Sequence, residues 1–267
     1  MMDLRNFTIS STNPCLIIFL IDQSGSMGEK FGNAMHTKSK VVSNAINAVI
    51  LEIGLRCYSG DEIKNRFELG IIGYGKENNV QSGWEGSLLN KWVVSIKDIF
   101  DYPLKEEDGK PIWITPTASG STPMQKAFQN ARRLCEDWIN WGNHGDCHPP
   151  IIINITDGEA TDGGNNFQSL INEVNELKQL RTNYGQVNLL NIHISEKISD
   201  RVLFPNEVDN LNDKFSKLLF DMSTPLNENM VRIAIKKGYN ITNNSRGYVY
   251  NGNAIDLINF LNIGSDQ

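Results

Sequence analysis

The chain has 267 residues, with 25 Lys and Arg against 31 Asp and Glu, and the resulting net charge of −6 argues against bulk nucleic-acid binding. Hydrophobic residues make up 40% and charged residues 21%, enough apolar surface for a sizeable core and no signature of disorder. The longest apolar run, residues 16–21, is far short of the roughly 20 residues that a membrane-spanning helix needs, so no bilayer crossing is expected. The N-terminal tail, residues 1–14, lacks the positive, apolar and small-residue regions of a secretory signal, and a cytoplasmic protein is the simplest reading. Cys15, Cys57, Cys135 and Cys147 are irregularly spaced without a CxxC pair, which points to free, mostly buried thiols.

Leu16-Ile17-Ile18-Phe19-Leu20-Ile21 is a continuous apolar run rich in β-branched residues, as in a strand buried on both faces of a parallel sheet, and Asp22-Gln23-Ser24-Gly25-Ser26 ends it abruptly. Val41, Val42, Ala45, Ile46, Val49, Ile50 and Ile53 then recur at helical spacing, with Gly54 where a helix can stop. Residues 67–74 read as the next strand and 92–96 as a short edge strand. Residues 101–121, rich in Pro, Gly, Asp and Lys, read as a loop within which Ile112-Trp113-Ile114 can pair briefly. Thr122-Pro123 predicts a helix start, Thr as N-cap and Pro at the first position, for a helix whose apolar face runs from Met124 to Ile139 and which ends near Trp141-Gly142.

Pro149-Pro150 breaks the chain before another buried-strand run, residues 151–156, which stops at Asp157-Gly158. Phe167, Leu170, Ile171, Val174, Leu177 and Leu180 mark a third amphipathic helix, and residues 187–194 a further strand. Beyond Ser195 the pattern reads as a strand at Leu218-Leu219-Phe220, a helix over 230–237, a strand over 247–250 and a terminal helix over 254–263. This alternation predicts an α/β fold, a doubly wound, mostly parallel, Rossmann-like central sheet with helices on both faces. No linker, repeat or low-complexity segment divides the chain, so one domain is expected.

In an open parallel sheet, ligands bind outside the carboxyl ends of the strands. Three segments lie there: the first holds Asp22, Ser24 and Ser26, the second Thr122, the third Asp157. Two carboxylates and three hydroxyls are hard oxygen donors, suited to a small hard cation such as Mg²⁺. In an extended loop, residues two apart point the same way, so Asp22, Ser24 and Ser26 can face one point, with Gly25 and Gly28 allowing a tight turn. The Asp-x-Ser-x-Ser pattern alone is weak; its position after a buried strand, with Thr122 opening a helix and Thr156-Asp157-Gly158 ending another strand, strengthens it.

On these residues the sequence resembles the von Willebrand factor A (VWA) family, whose metal-ion-dependent adhesion site (MIDAS) is assembled from such loops. The resemblance covers roughly residues 15–264, with a longer insertion around 195–224. It implies that Ser24, Ser26 and Thr122 would touch the cation, Mg or Mn, through hydroxyls, while Asp22 and Asp157 act mainly through bound water or hydrogen bonds. Thr156-Asp157-Gly158-Glu159-Ala160-Thr161-Asp162 and Phe220-Asp221-Met222-Ser223 look most like the intracellular bacterial branch, similar to the tellurite-resistance-associated TerY-like proteins. That branch implies a protein partner presenting Asp or Glu, such as a protein phosphatase or kinase of a stress or defence system.

Other features read as structural. Cys135, His144, Cys147 and His148 lack the paired spacing of a zinc site. Glu159 and Asp162 read as loop-solvating residues capping the helix that follows, and Trp84, Trp92 and Trp113 as core more than partner contacts. No Lys or Arg adjoins the site motifs as a phosphate clamp, no Walker loop occurs, and His36 is the one histidine near the first loop. Arg132-Arg133 and Lys236-Lys237 are too short to bind nucleic acid. A non-catalytic, metal-dependent interaction module is therefore expected, and the alternative is a metal-dependent phosphohydrolase using the same cation site.

Overall fold

A computed structural model describes residues 7–32, 35–195, 201–211, 213–242 and 244–265. Parts of the N-terminal tail and of the 195–224 insertion expected from sequence therefore lie outside the described residues. The central sheet has eight strands: β1 (Cys15–Asp22), β2 (Phe67–Tyr74), β3 (Val80–Ser82), β4 (Val93–Ser95), β5 (Ile151–Thr156), β6 (Asn188–Ile194), β7 (Val202–Leu203) and β8 (Tyr248–Gly252). Their order is β7-β8-β6-β5-β1-β2-β3, with β4 also on β2. The five inner strands from β8 to β2 are parallel, and the short outer ones pair antiparallel.

Along β1 the side chains alternate between two cores. Ile17, Phe19 and Ile21 pack with α1 (Lys38–Arg56) and α7 (Ala254–Ser265), whereas Leu16, Ile18 and Leu20 face α3 (Met124–Glu136), α4 (Gln168–Gln179) and α5 (Lys214–Met222). Both faces are covered, which is why β1 is apolar at every position before its last and why every one of its residues is buried. The remaining helices are α2 (Ile96–Asp101), which follows β4, and α6 (Glu228–Lys236). The doubly wound, mostly parallel α/β architecture expected from the alternation is the one observed. No helix of the described residues is long and apolar enough to cross a membrane.

Several local expectations change. Leu218-Leu219-Phe220 is helical within α5: Asp213 caps it by accepting from Ser216 N at 2.7 Å, and Phe215, Leu218, Leu219 and Met222 then share one buried face at helical spacing. Thr122 does not cap α3, which starts at Met124 with Pro123 outside it. Trp84 and Trp113 are about as buried as any residue of the core, at 1% exposure each, while Trp92 is half-buried.

A polar chain crosses the sheet interior: Tyr74 Oη donates to Asn154 Oδ1 (2.8 Å), Asn154 Nδ2 to Asn191 Oδ1 (3.0 Å), and Asn191 Nδ2 to Ser223 Oγ (2.9 Å). Buried polar groups are tolerated only when satisfied, and this chain ties β2, β5, β6 and the end of α5 together. Asn191→Ala leaves the Asn154 amide without its acceptor and is expected to cost about 2–3 kcal/mol, read as a lower urea midpoint at constant slope. Trp141→Ala, at an 87% exposed position, is expected to shift stability by less than about 0.5 kcal/mol.

Candidate metal centre at the strand ends

Parallel pairing sets the site. Ile21 is in register with Ile155, so Asp22 at the end of β1 stands level with Thr156 at the end of β5. Asp22 is fully buried, and both its oxygens are engaged: Oδ1 accepts from Ser24 N (2.9 Å) and Oδ2 from Thr156 Oγ1 (2.7 Å). Burial pushes the Asp22 carboxyl up to about 6, against the pull of the hydrogen bonds from Ser24 and Thr156, and the neighbouring Asp157 adds to the rise.

Ser24 is extended, but Ser26 lies in a 3₁₀ turn, Gly25–Gly28, so a turn rather than simple alternation brings the two hydroxyls to 3.1 Å. Ser26 Oγ donates to Asp157 Oδ1 (2.8 Å), which leaves Ser24 as the donor within the serine pair. Asp22, Ser24, Ser26 and Asp157 thus form one connected cluster. The loop holding Thr122 is stitched to the first by Gly25 N to Gly120 O (3.0 Å) and Ser119 N to Gln23 O (2.7 Å). Thr122 is buried; its carbonyl accepts from Thr161 N (2.9 Å) and its N–H donates to Thr161 Oγ1 (3.2 Å) in the third loop, but its hydroxyl is not part of the hydrogen-bonded cluster.

Gly25 and Gly28, expected to permit the turn, have ordinary backbone angles and room for a Cβ. The glycines the geometry requires are Gly75 (φ +133°), whose Cβ would lie 2.4 Å from Ser24 N, and Gly120 (φ +80°), whose Cβ would lie 2.2 Å from Gly75 O. Asp162 caps α3, not the helix that follows its loop: its carboxylate accepts from Gln125 N (2.9 Å) and Lys126 N (3.0 Å), so the third loop anchors the helix that the second loop opens. Glu159 is exposed at the rim.

Sequence reasoning missed Lys38. The first residue of α1, it donates from Nζ to Asp157 Oδ2 (2.8 Å) and Glu29 Oε2 (2.9 Å), so a basic residue does adjoin the site. Burial disfavours its charge, but the hydrogen bonds to Asp157 and Glu29 outweigh it and hold the ammonium above its ordinary pKa. Thr37 caps α1 by accepting from Lys40 N (3.2 Å), which places Lys38 in the first turn of the helix, but nothing in the chain's spacing marks its contact with Asp157. Thr156 was missed as well, although its place before Asp157 on a strand parallel to β1 implies it.

The Cys135, His144, Cys147, His148 cluster does not converge. Cys135 is in the core, the His144 ring stacks on Trp138 at 4.2 Å, and His148 Nδ1 donates to Pro149 O (2.8 Å). Among the described residues, no group of three or more His, Cys, Asp or Glu side chains could hold a metal. The four cysteines are buried and free.

No family model matches the sequence. Among solved structures, the PilB minor pilin from Streptococcus sanguinis is similar at 10% identity and TM-score 0.52, over 96% of this chain and 61% of the pilin. The manganese-loaded TRAP protein of Plasmodium vivax is similar at 15% identity and TM-score 0.45, over 94% of this chain and 73% of that one. The vWF domain of the type V pili tip protein Mfa5 from Porphyromonas gingivalis gives 13% identity and TM-score 0.34, over 88% of this chain and 56% of that one. This chain therefore spans about three fifths of the pilin. At these identities the likenesses speak to fold alone, and the pilin, at a TM-score above 0.5, supports the doubly wound α/β architecture.

Burial lowers the pKa of His148 to about 4. The unfolded chain takes up a proton near pH 6.5 that the folded chain refuses, so stability is present above that pH and lost as pH falls toward 4, by up to about 3 kcal/mol. His148→Gln is expected to flatten this limb of the stability–pH curve; an unchanged acid slope would assign it to other groups.

Proposed function

We propose that the chain is a non-catalytic protein-interaction module that binds a divalent cation, Mg or Mn, at the strand-end crevice and, through it, an acidic side chain of a partner protein. The observation that carries this reading is the spacing of the oxygen donors. Ser24 Oγ and Ser26 Oγ, the two hydroxyls that would hold the ion, are 3.1 Å apart. Adjacent corners of an octahedron with bonds of 2.0–2.1 Å are about 3.0 Å apart, so the donor set fits a small hard cation.

Ser24 and Ser26 would hold the ion through hydroxyls, with Thr122 added from the second loop. Asp22 orients: with its oxygens committed to Ser24 N and Thr156 Oγ1, it fixes the loop and acts through these partners or through water. Asp157 fixes Ser26 by accepting its hydrogen bond. What a bound divalent cation supplies is positive charge that neutral hydroxyls leave under-compensated, open to a partner carboxylate through a charge-assisted bond. The crevice is open to such a partner, since Gly25, Glu29, Ser119 and Gly120 at its rim are exposed. On the resemblance of the 156–162 segment to the TerY-like branch, the partner would be a phosphatase or kinase of the same system.

A hydrolase that used Ser24 or Ser26 as its nucleophile would need a base beside it, and no imidazole is hydrogen-bonded to either serine among the described residues. Lys38, the cation nearest the site, is committed to two carboxylates. Titration calorimetry with Mg²⁺ and Mn²⁺ is expected to show binding by the wild type, loss of at least about tenfold in affinity in Asp22→Ala and Ser26→Ala, and weak residual binding in Thr122→Ala. Unchanged affinity in Asp22→Ala would sink the reading. Turnover of a generic phosphate ester that requires the metal and vanishes in Asp22→Ala would favour the hydrolase.

A further inference from the structure

Lys38 reaches the crevice from a helix, not from any of the three loops that hold the oxygen donors. Its side chain is 9% exposed and bridges Asp157, whose side chain is fully buried, and Glu29, which is 69% exposed on the rim. The partners of the two carboxylates differ in kind. Asp22 is held by neutral donors alone, a backbone N–H and a hydroxyl, whereas Asp157 accepts a hydroxyl proton on Oδ1 and an ammonium on Oδ2. Among the described residues, the positive charge bonded to the carboxylate pair is that of Lys38.

We propose that Lys38 is an internal cation that occupies Asp157 when no divalent ion is bound and competes with the divalent ion for that carboxylate. The inference rests on the metal reading above. A divalent ion seated on Ser24 and Ser26 would lie beside Asp157, within a few ångströms of the ammonium, and two cations at that distance in a partly dry crevice repel. Glu29 gives the ammonium somewhere to go. It is already bonded to Lys38 at 2.9 Å and is solvent-facing, so the side chain can leave Asp157 and keep one ionic partner. In the metal-free protein Asp157 thereby has a counter-charge, and the ion binds more weakly than it would to the oxygen donors alone. Metal entry also leaves a cation at the rim, where an acidic partner arrives.

The test uses the full chain, with Lys38→Met to remove the charge and Lys38→Gln to remove the charge but keep a hydrogen-bond donor in case the Met variant does not fold. Affinity for Mg²⁺ and Mn²⁺ is measured by calorimetry, and melting temperature in chelator by scanning fluorimetry. The uncharged variants are expected to bind metal about tenfold more tightly, the equivalent of one charge-assisted hydrogen bond. They are also expected to melt at least about 3 °C lower in chelator, because Asp157 loses its counter-charge. Wild-type binding with no gain in either variant overturns the role of Lys38 and leaves the metal reading standing. Binding by the variants but not by the wild type supports Lys38 in its strongest form. Absence of binding in all three chains overturns both, and an unaltered melting temperature in chelator overturns Lys38 as the counter-charge.

Discussion

Two carboxylates stand at the ends of two adjacent parallel strands, and the sheet gives them no freedom to separate. The register of β1 on β5 puts Asp22 beside Thr156 and brings Asp157, the next residue, to the same end of the sheet. Burying one carboxylate is costly unless it is hydrogen-bonded, and two in proximity also repel. The surrounding structure answers this cost: a hydroxyl from Thr156, an N–H from Ser24, a hydroxyl from Ser26 and the ammonium of Lys38. They come from three pieces of chain, the end of β5, the loop after β1 and the first turn of α1, so the site depends on these being held in place.

That holding is done below and around the crevice by groups that take no part in the proposed chemistry. The two cores fix the strands from both faces, and the Tyr74–Asn154–Asn191–Ser223 chain ties β2, across β1, to β5 and β6. At the crevice, Gly75 and Gly120 let three backbone segments approach more closely than any Cβ permits. Asp162 ties the third loop to the helix opened by the second. Such a frame favours a preorganised donor set, because the geometry is imposed by backbone and core rather than by mobile side chains.

The layers of the fold were legible because buried parallel strands leave an unmistakable pattern, four to eight apolar residues ended by a polar loop. Leu218-Leu219-Phe220 misled for the same reason: three apolar residues fit a strand or one face of a helix equally well, and the cap at Asp213 decides. Of the site, the sequence carried the oxygen-bearing residues and their loops, but not how they meet. Ser26 arrives by a 3₁₀ turn, and the backbone demands fall on Gly75 and Gly120, in loops after other strands, where only packing reveals them. Lys38 was invisible because its significance is a distance to Asp157, set by the orientation of α1 against β5, and no spacing in the chain encodes it.

Whether the oxygens of Ser24 and Ser26 hold a divalent ion is open to direct observation. A crystal of the protein grown with Mn²⁺ and measured near the manganese absorption edge locates the ion directly through its anomalous signal. The expected result is a peak within about 2.0–2.3 Å of Ser24 Oγ and Ser26 Oγ, with Lys38 drawn toward Glu29. A crevice without a peak at saturating Mn²⁺, with Lys38 still on Asp157, would contradict the account and make the ammonium the site's permanent cation.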